Sequence, residues 1–150
     1  MARLRRVIHP LLLLGVFTIV HQAIAATASS SNPEAIVQAQ IEAYNAHDID
    51  AFVATYADDA QLFEHPAKVL AAGSAQLRER YAARFKEPNL HAVIVKRIVM
   101  DNVVVDHERV TRTFPEGSGV IDAVAIYEVE NGKIAKAWLI FGKKILDAKP

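Results

Sequence analysis

The stretch from His91 to Lys143 constrains the fold most, because turn signals cut it into runs whose alternation can be read as geometry. The joints are Asp101-Asn102, Pro115-Glu116-Gly117-Ser118-Gly119 and Asn131-Gly132, and Asn-Gly is the strongest two-residue hairpin signal in a sequence. A four-stranded antiparallel meander follows from them. Each joint sets a register: Met100 opposite Val103, Phe114 opposite Val120, Glu130 opposite Lys133. His91, Arg112 and Asp122 then form a row across neighbouring strands. They share a face with Val93, Val95, Val110, Val124, Ile126, Ala137, Leu139 and Phe141. Titratable and charged groups on an apolar surface suggest a pocket. A slip of one residue at the Pro115 joint would turn Asp122 to the other face.

That other face carries Ile94, Ile98, Val105, His107, Thr111, Ile121, Ala123, Ala125, Tyr127, Trp138 and Ile140. It is too apolar for free exposure in a monomer and predicts a homodimer anchored by Trp138 and Tyr127.

Upstream, Arg3, Arg5 and Arg6 precede the apolar run Leu11 to Val20 and then Ala23-Ile24-Ala25, the pattern of a secretory signal peptide cleaved near Ala25. The run is too short to span a bilayer comfortably and no second one follows, so a permanent membrane anchor is the weaker reading. The expected location is periplasmic or secreted. The chain has no cysteine, so disulfides, thiol nucleophiles and Cys-ligated metals are excluded together. Residues 26–150 keep 14 of the 17 basic residues and all 17 acidic ones, a net charge of −3 that argues against nucleic acid as a partner. Residues 26–33 read as a tether, 34–146 as one domain and 147–150 as a tail.

Helices come first in that domain. Asn32-Pro33-Glu34 supplies a cap, a first-turn proline and an early acid, and Ile36, Val37, Ile41 and Tyr44 recur at helical spacing. Asp48 caps a second helix with Ile49, Phe52, Val53 and Tyr56 as its stripe. Ala60 to Leu70 is strand-like but broken at His65-Pro66, which predicts a short hairpin or bent edge strand. Gly73-Ser74 opens a third helix with the stripe Leu77, Tyr81 and Phe85, ending before Pro88. Helices segregated before an antiparallel sheet define an α+β fold.

Tyr44-Asn45-Ala46-His47-Asp48-Ile49-Asp50, followed by Tyr56-Ala57-Asp58-Asp59-Ala60, resembles the nuclear transport factor 2-like superfamily, which includes the ketosteroid isomerases and SnoaL-like cyclases. The resemblance runs over residues 34–146 and takes in Gly132-Lys133-Ile134 and Ile140-Phe141-Gly142. It implies three helices and a curved sheet forming a cone around an apolar cavity. Carried over residue by residue, the isomerase base falls at His65, just before the proline of the first hairpin. The carbonyl-polarising tyrosine falls at Gln40, which can still donate. The neutral carboxylic acid falls at Val124, which has no donor, whereas Asp122 lies two residues earlier on the same face. These departures argue against a true ketosteroid isomerase. Dehydratases and cyclases of the superfamily use histidine and aspartate within the cone, and both types are available here.

His65 is therefore the candidate general base, with a solvated loop histidine as the competing reading. Asp122 and Arg112 read first as a structural ion pair, and second as a device that polarises a developing oxyanion with His91 in support. Glu108 faces the cavity as a second acid candidate, with a pairing to Arg97 or Arg112 as the more common fate of such a residue. Arg97 and Asp106 are expected as a rim salt bridge, and His47 as a solvated turn residue. Gln40, Tyr44, Tyr56 and Tyr81 complete the ligand-binding set from the helices, and Phe63, Val110, Val124, Leu139 and Phe141 complete it from the sheet. No histidine pair has ligand spacing, and there is no phosphate loop or serine elbow. The expectation is a small hydrophobic ligand and cofactor-free, metal-free acid–base chemistry on a small apolar carbonyl compound, of isomerase, dehydratase or cyclase type. The alternative is a non-catalytic hydrophobic-ligand binder or dimeric association module of the same fold.

Overall fold

The computed structural model describes residues 32–148. The expected signal peptide and most of the tether lie outside the described residues. Helix α1 (Pro33–Asn45) begins where expected, with the Asn32 side chain accepting the Glu34 N–H at 3.1 Å. Its buried Val37, Gln40, Ile41 and Tyr44 recur at the helical period. Helix α2 (Ile49–Ala54) is capped by Asp48, which accepts the Ala51 N–H at 2.9 Å. Strands β1 (Tyr56–Glu64) and β2 (Lys68–Ala72) form the short hairpin around His65-Pro66, and α3 (Ser74–Arg84) follows Gly73, whose φ of +84° suits glycine. The meander is β3 (His91–Met100), β4 (Val103–Phe114), β5 (Gly117–Glu130) and β6 (Lys133–Leu146).

One six-stranded sheet results, in the order β2-β1-β6-β5-β4-β3, with β1 parallel to β6 and every other pair antiparallel. The three helices pack on it to give the α+β cone. The core is an aromatic knot: the rings of Tyr44, Tyr56, Tyr81 and Phe85 lie 4.5–6.1 Å from that of the fully buried Phe52. Asn45 ties the end of α1 to β3, donating to the Ala92 carbonyl at 2.9 Å and accepting the Ala92 N–H at 2.8 Å. His47 is half-buried and not solvated, with Nε2 2.9 Å from the Leu90 carbonyl oxygen. Among the described residues no helix is long and apolar enough to cross a membrane.

Two joints have the expected register, Met100 opposite Val103 and Glu130 opposite Lys133. The third does not. Phe114 pairs with Gly117, so the turn is Pro115-Glu116 and Asp122 lies opposite Arg109, not Arg112. The offset from the expected pairing is odd, and an odd offset exchanges the faces of a strand. The register also shifts between Ile94 and Lys96 in β3, and between Glu128 and Val129 where β5 meets β6. Ile94, Ile121, Ala123, Ala125 and Tyr127 consequently belong to the inner face, while Val93 and Val95 are 53% and 52% exposed. On β4 and β6 the assignment of Val110, Arg112, Ala137 and Leu139 to the inner face stands.

Candidate functional site

A cavity of about 280 Å³ lies between the helices and the inner face of the sheet. Helix α1 contributes Gln40, Ile41 and Tyr44, and α3 contributes Arg80, Tyr81 and Arg84. Its floor is Glu108, Val110 and Arg112 from β4 and Ile121, Ala123 and Tyr127 from β5, with Leu139 and Phe141 from β6. Most of this wall is apolar, and a few polar atoms converge on it. That is the usual composition of a small-molecule site.

Glu108 is the chemically distinctive residue. It is 7% exposed, and its Oε1 accepts a hydrogen bond from the Tyr127 hydroxyl at 3.2 Å. Burial, helped by the charge of Asp106, pushes its carboxyl up to about 7, while the Tyr127 hydrogen bond and Arg97 oppose the rise. A carboxyl poised there can take or return a proton near neutral pH. Desolvation also raises the phenols of Tyr44, Tyr81 and Tyr127, so these remain neutral hydroxyls.

Two residues along the same strand, Asp106 shows how a buried carboxylate is otherwise handled. Arg97 donates to both of its oxygens at 2.7 Å, and Gln38 Oε1 accepts from Arg97 at 3.0 Å. The pair is not the rim salt bridge expected from sequence, because Asp106 is fully buried beneath α1. With Arg97 so engaged, Glu108 has no cation in contact among the described residues and stays protonatable.

Arg112 lines the cavity at the other end of β4 and is held by Glu87, whose Oε1 accepts from it at 3.0 Å while Oε2 accepts the Thr113 N–H at 2.9 Å. Its Nε is buried without a hydrogen-bond partner among the described residues. Gln40 donates to the Tyr56 hydroxyl at 3.2 Å and leaves its own buried Oε1 unpaired.

Of the residues chosen from sequence, the cavity gathers Arg112, Gln40, Tyr44, Tyr81, Glu108, Val110, Leu139 and Phe141. It does not gather His65, His91, Asp122, Val124, Phe63 or Tyr56. Asp122 is corrected to the outer face, where Arg109 donates to it at 3.0 Å, His107 lies 4.0 Å away and 43% of its side chain is exposed. The Arg109 guanidinium holds its carboxyl below the usual range. His65 and His91 are both exposed; His91 lies opposite Thr111 because of the β3 irregularity. Val124 pairs with His107 and Ile140 on the outer side, and the Phe63 ring stacks on Trp138 at 5.7 Å. Tyr56 supports Gln40 from within the core.

The sequence reading missed Arg80, Arg84, Ile41, Ile121, Ala123 and Tyr127 as lining residues. A signal for the arginines was present: Leu77, Arg80, Tyr81 and Arg84 share one helical stripe, so two charges interrupt a face that should be apolar. Among the described residues no cluster of three His, Asp or Glu side chains could hold a metal ion.

The helices packed on a curved mixed sheet define a protein of the nuclear transport factor 2-like, or cystatin-like, class. Within that class the chain belongs to the SnoaL-like domain family, whose model matches residues 37–137. A cystatin-fold protein from Novosphingobium aromaticivorans is 30% identical and superposes with a TM-score of 0.67 over 73% of this chain and 97% of its own. An NTF2-like protein from Cytophaga hutchinsonii, 17% identical, gives 0.62 over 74% and 90%. An LEH-like epoxide hydrolase from M. tuberculosis, 14% identical, gives 0.65 over 73% and 82%. The last two share the fold. No curated protein matches the chain.

Proposed function

We propose that the protein is a cofactor-free acid–base enzyme acting on a small, largely apolar carbonyl compound, with Glu108 as the proton-transferring group. The observation that carries this reading is Glu108 itself, a buried carboxyl raised to about 7 on the wall of an otherwise apolar cavity. His65 and Asp122 lose the roles assigned from sequence, because neither lines that space. Tyr44 and Tyr81 supply donors for an oxygen on which charge develops during proton removal. A carbonyl substrate bound against them would lose a proton from the adjacent carbon to the Glu108 carboxylate and regain it elsewhere from the resulting acid. That sequence describes an isomerisation, or the first half of a dehydration or cyclisation.

Deuterium exchange at the carbon beside the carbonyl, followed by NMR in heavy water over a panel of aryl and alkyl ketones, tests this without knowledge of the natural substrate. The protein should accelerate exchange with a rate that rises with pH through about 7 as Glu108 ionises. Glu108→Gln should lower the rate about 100-fold or more, and His65→Ala should leave it unchanged. Ligand binding without exchange in any member of the panel would favour the non-catalytic binder of the same fold.

Two further parts of the reading concern setting. The outer face exposes Val93, Val95 and Ile98 by more than half and carries the Phe63–Trp138 stack, which supports a homodimer through that face. A Val95→Lys variant that stays dimeric by light scattering would refute it. The arginine-led apolar segment ending at Ala25 supports export with cleavage there, and the mass of the protein recovered from the cell envelope or medium tests it.

A further inference from the structure

Three arginines, Arg80, Arg84 and Arg112, line the cavity beside a single acid among the described residues, Glu108. Arg80 and Arg84 lie one turn apart on the stripe of α3 that faces it, where like charges destabilise a helix slightly. Both are half-buried, and among the described residues neither has a carboxylate oxygen within 4 Å. Arg84 lies over the Tyr81 ring at 5.9 Å, and its position in the last turn of α3 suits the helix dipole. Those two contacts account for Arg84, and Arg80 is within hydrogen-bonding reach of the Tyr81 hydroxyl, so what both arginines lack among the described residues is an acid to match their charge. Arg112 enters from the opposite wall with its Nε buried and unpaired, although Glu87 already matches its charge. Arg84 and Arg112 both act electrostatically on the Tyr44 hydroxyl, as does Glu108, so the three charges border one space. Among the described residues the only acid in the lining is Glu108, which is without charge for much of the time near neutral pH. A cavity with this lining attracts an anion.

We infer that the ligand of this cavity is an amphipathic carboxylate, its carboxylate group held between Arg84 and Arg112 with Arg80 behind, and its apolar body lying along Val110, Ile121 and Leu139. The inference deepens the proton-transfer reading and rests on it for the identity of the site: the substrate class narrows from carbonyl compounds to apolar oxo-acids. Planar guanidinium groups match a carboxylate with paired hydrogen bonds. The chain has no glycine-rich loop to add the backbone donors that phosphate sites use, which favours a carboxylate over a phosphate. Glu108 and Arg112 are four residues apart on β4, about 13 Å along the strand. A ligand anchored at Arg112 would therefore reach Glu108 with a part of its body remote from the carboxylate. The reacting carbon is thus placed away from the acid group.

The test compares 4-phenylbutyrate with its neutral amide, 4-phenylbutyramide, by calorimetric titration of the full-length protein at low salt. The carboxylate should bind about tenfold tighter or more, and added salt should narrow the gap. In the double variant R80Q/R84Q, checked for native circular dichroism, the gap should close while the amide binds as before. Equal binding of the two probes to the wild-type protein, no binding of either, or a gap that survives the double substitution would each overturn the inference. The salt series on the unmodified protein keeps it falsifiable if the double variant does not fold. Glu108→Gln separates the two readings: it should abolish deuterium exchange and retain the preference for the carboxylate. Exchange without that preference would sink the carboxylate alone, and the preference without exchange would sink the chemistry alone.

Discussion

Glu108 on β4 and Asp122 on β5 lie on neighbouring strands, one register step apart, and the sheet gives them opposite fates. Glu108 points inward, away from water, with a phenol as its hydrogen-bond donor and no cation in contact; its carboxyl rises to about 7. Asp122 points outward beside Arg109 and His107, and its carboxyl is held low. The residues differ by one methylene. Side of the sheet, not residue type, decides which of them can exchange a proton near neutral pH. Asp106 adds a third outcome on the inner face, since a buried carboxylate with a bidentate arginine is committed to structure and unavailable for chemistry.

The comparison can be broken at several points, and the largest effect is expected where a buried charge would lose its partner. Arg97→Ala leaves Asp106 fully buried and unpaired and should cost about 3–5 kcal/mol in urea denaturation. Replacing both partners by apolar residues of similar size should recover most of that loss.

Next comes the pH dependence of Glu108. Its folded value of about 7 lies above the ordinary 4.5, so between those limits the folded state binds more protons than the unfolded chain. Stability contributed by this group is therefore complete below pH 4.5, falls as pH rises to about 7 and is flat above it. The total fall is on the order of 3 kcal/mol. Denaturation curves collected across that range should lose this slope in Glu108→Gln.

Gly119→Ala should have a smaller effect, about 1–3 kcal/mol. Its Cβ would collide with the Ile145 carbonyl oxygen, where β5 and β6 pack backbone to backbone. Finally, Asp122→Asn should alter neither thermal stability nor deuterium exchange measurably, because the Asp122–Arg109 pair is exposed and screened. A loss of exchange in Asp122→Asn would return the chemistry to the outer face.

Much of the architecture was legible from local signals. Asn32 and Asp48 cap helices because their side chains reach nearby backbone N–H groups, and Asn131-Gly132 turns because both residues adopt positive φ, 50° and 76°. The stripe of α1 named the buried side of that helix correctly. The site was legible on β4, where Glu108, Val110 and Arg112 alternate without interruption. It was not legible on β5, because alternation assigns two sets of residues to two faces without saying which is inside. Both sets on β5 are largely apolar, so composition could not choose between them. The choice depended on the turn at Pro115-Glu116 and on single-residue irregularities in β3 and β6.

The sequence by itself determined the order of elements, the caps, two of the three meander registers and the family, since each rests on contacts within a few residues or on motif positions. Tertiary structure alone decided which acid is enclosed, which is solvated and which is paired. A one-residue offset in pairing leaves local hydrogen bonding almost unchanged, yet it exchanges the water-facing and core-facing sides of a whole strand. The free energy that fixes the outcome comes from packing Ile121, Ala123, Ala125 and Tyr127 beneath the helices.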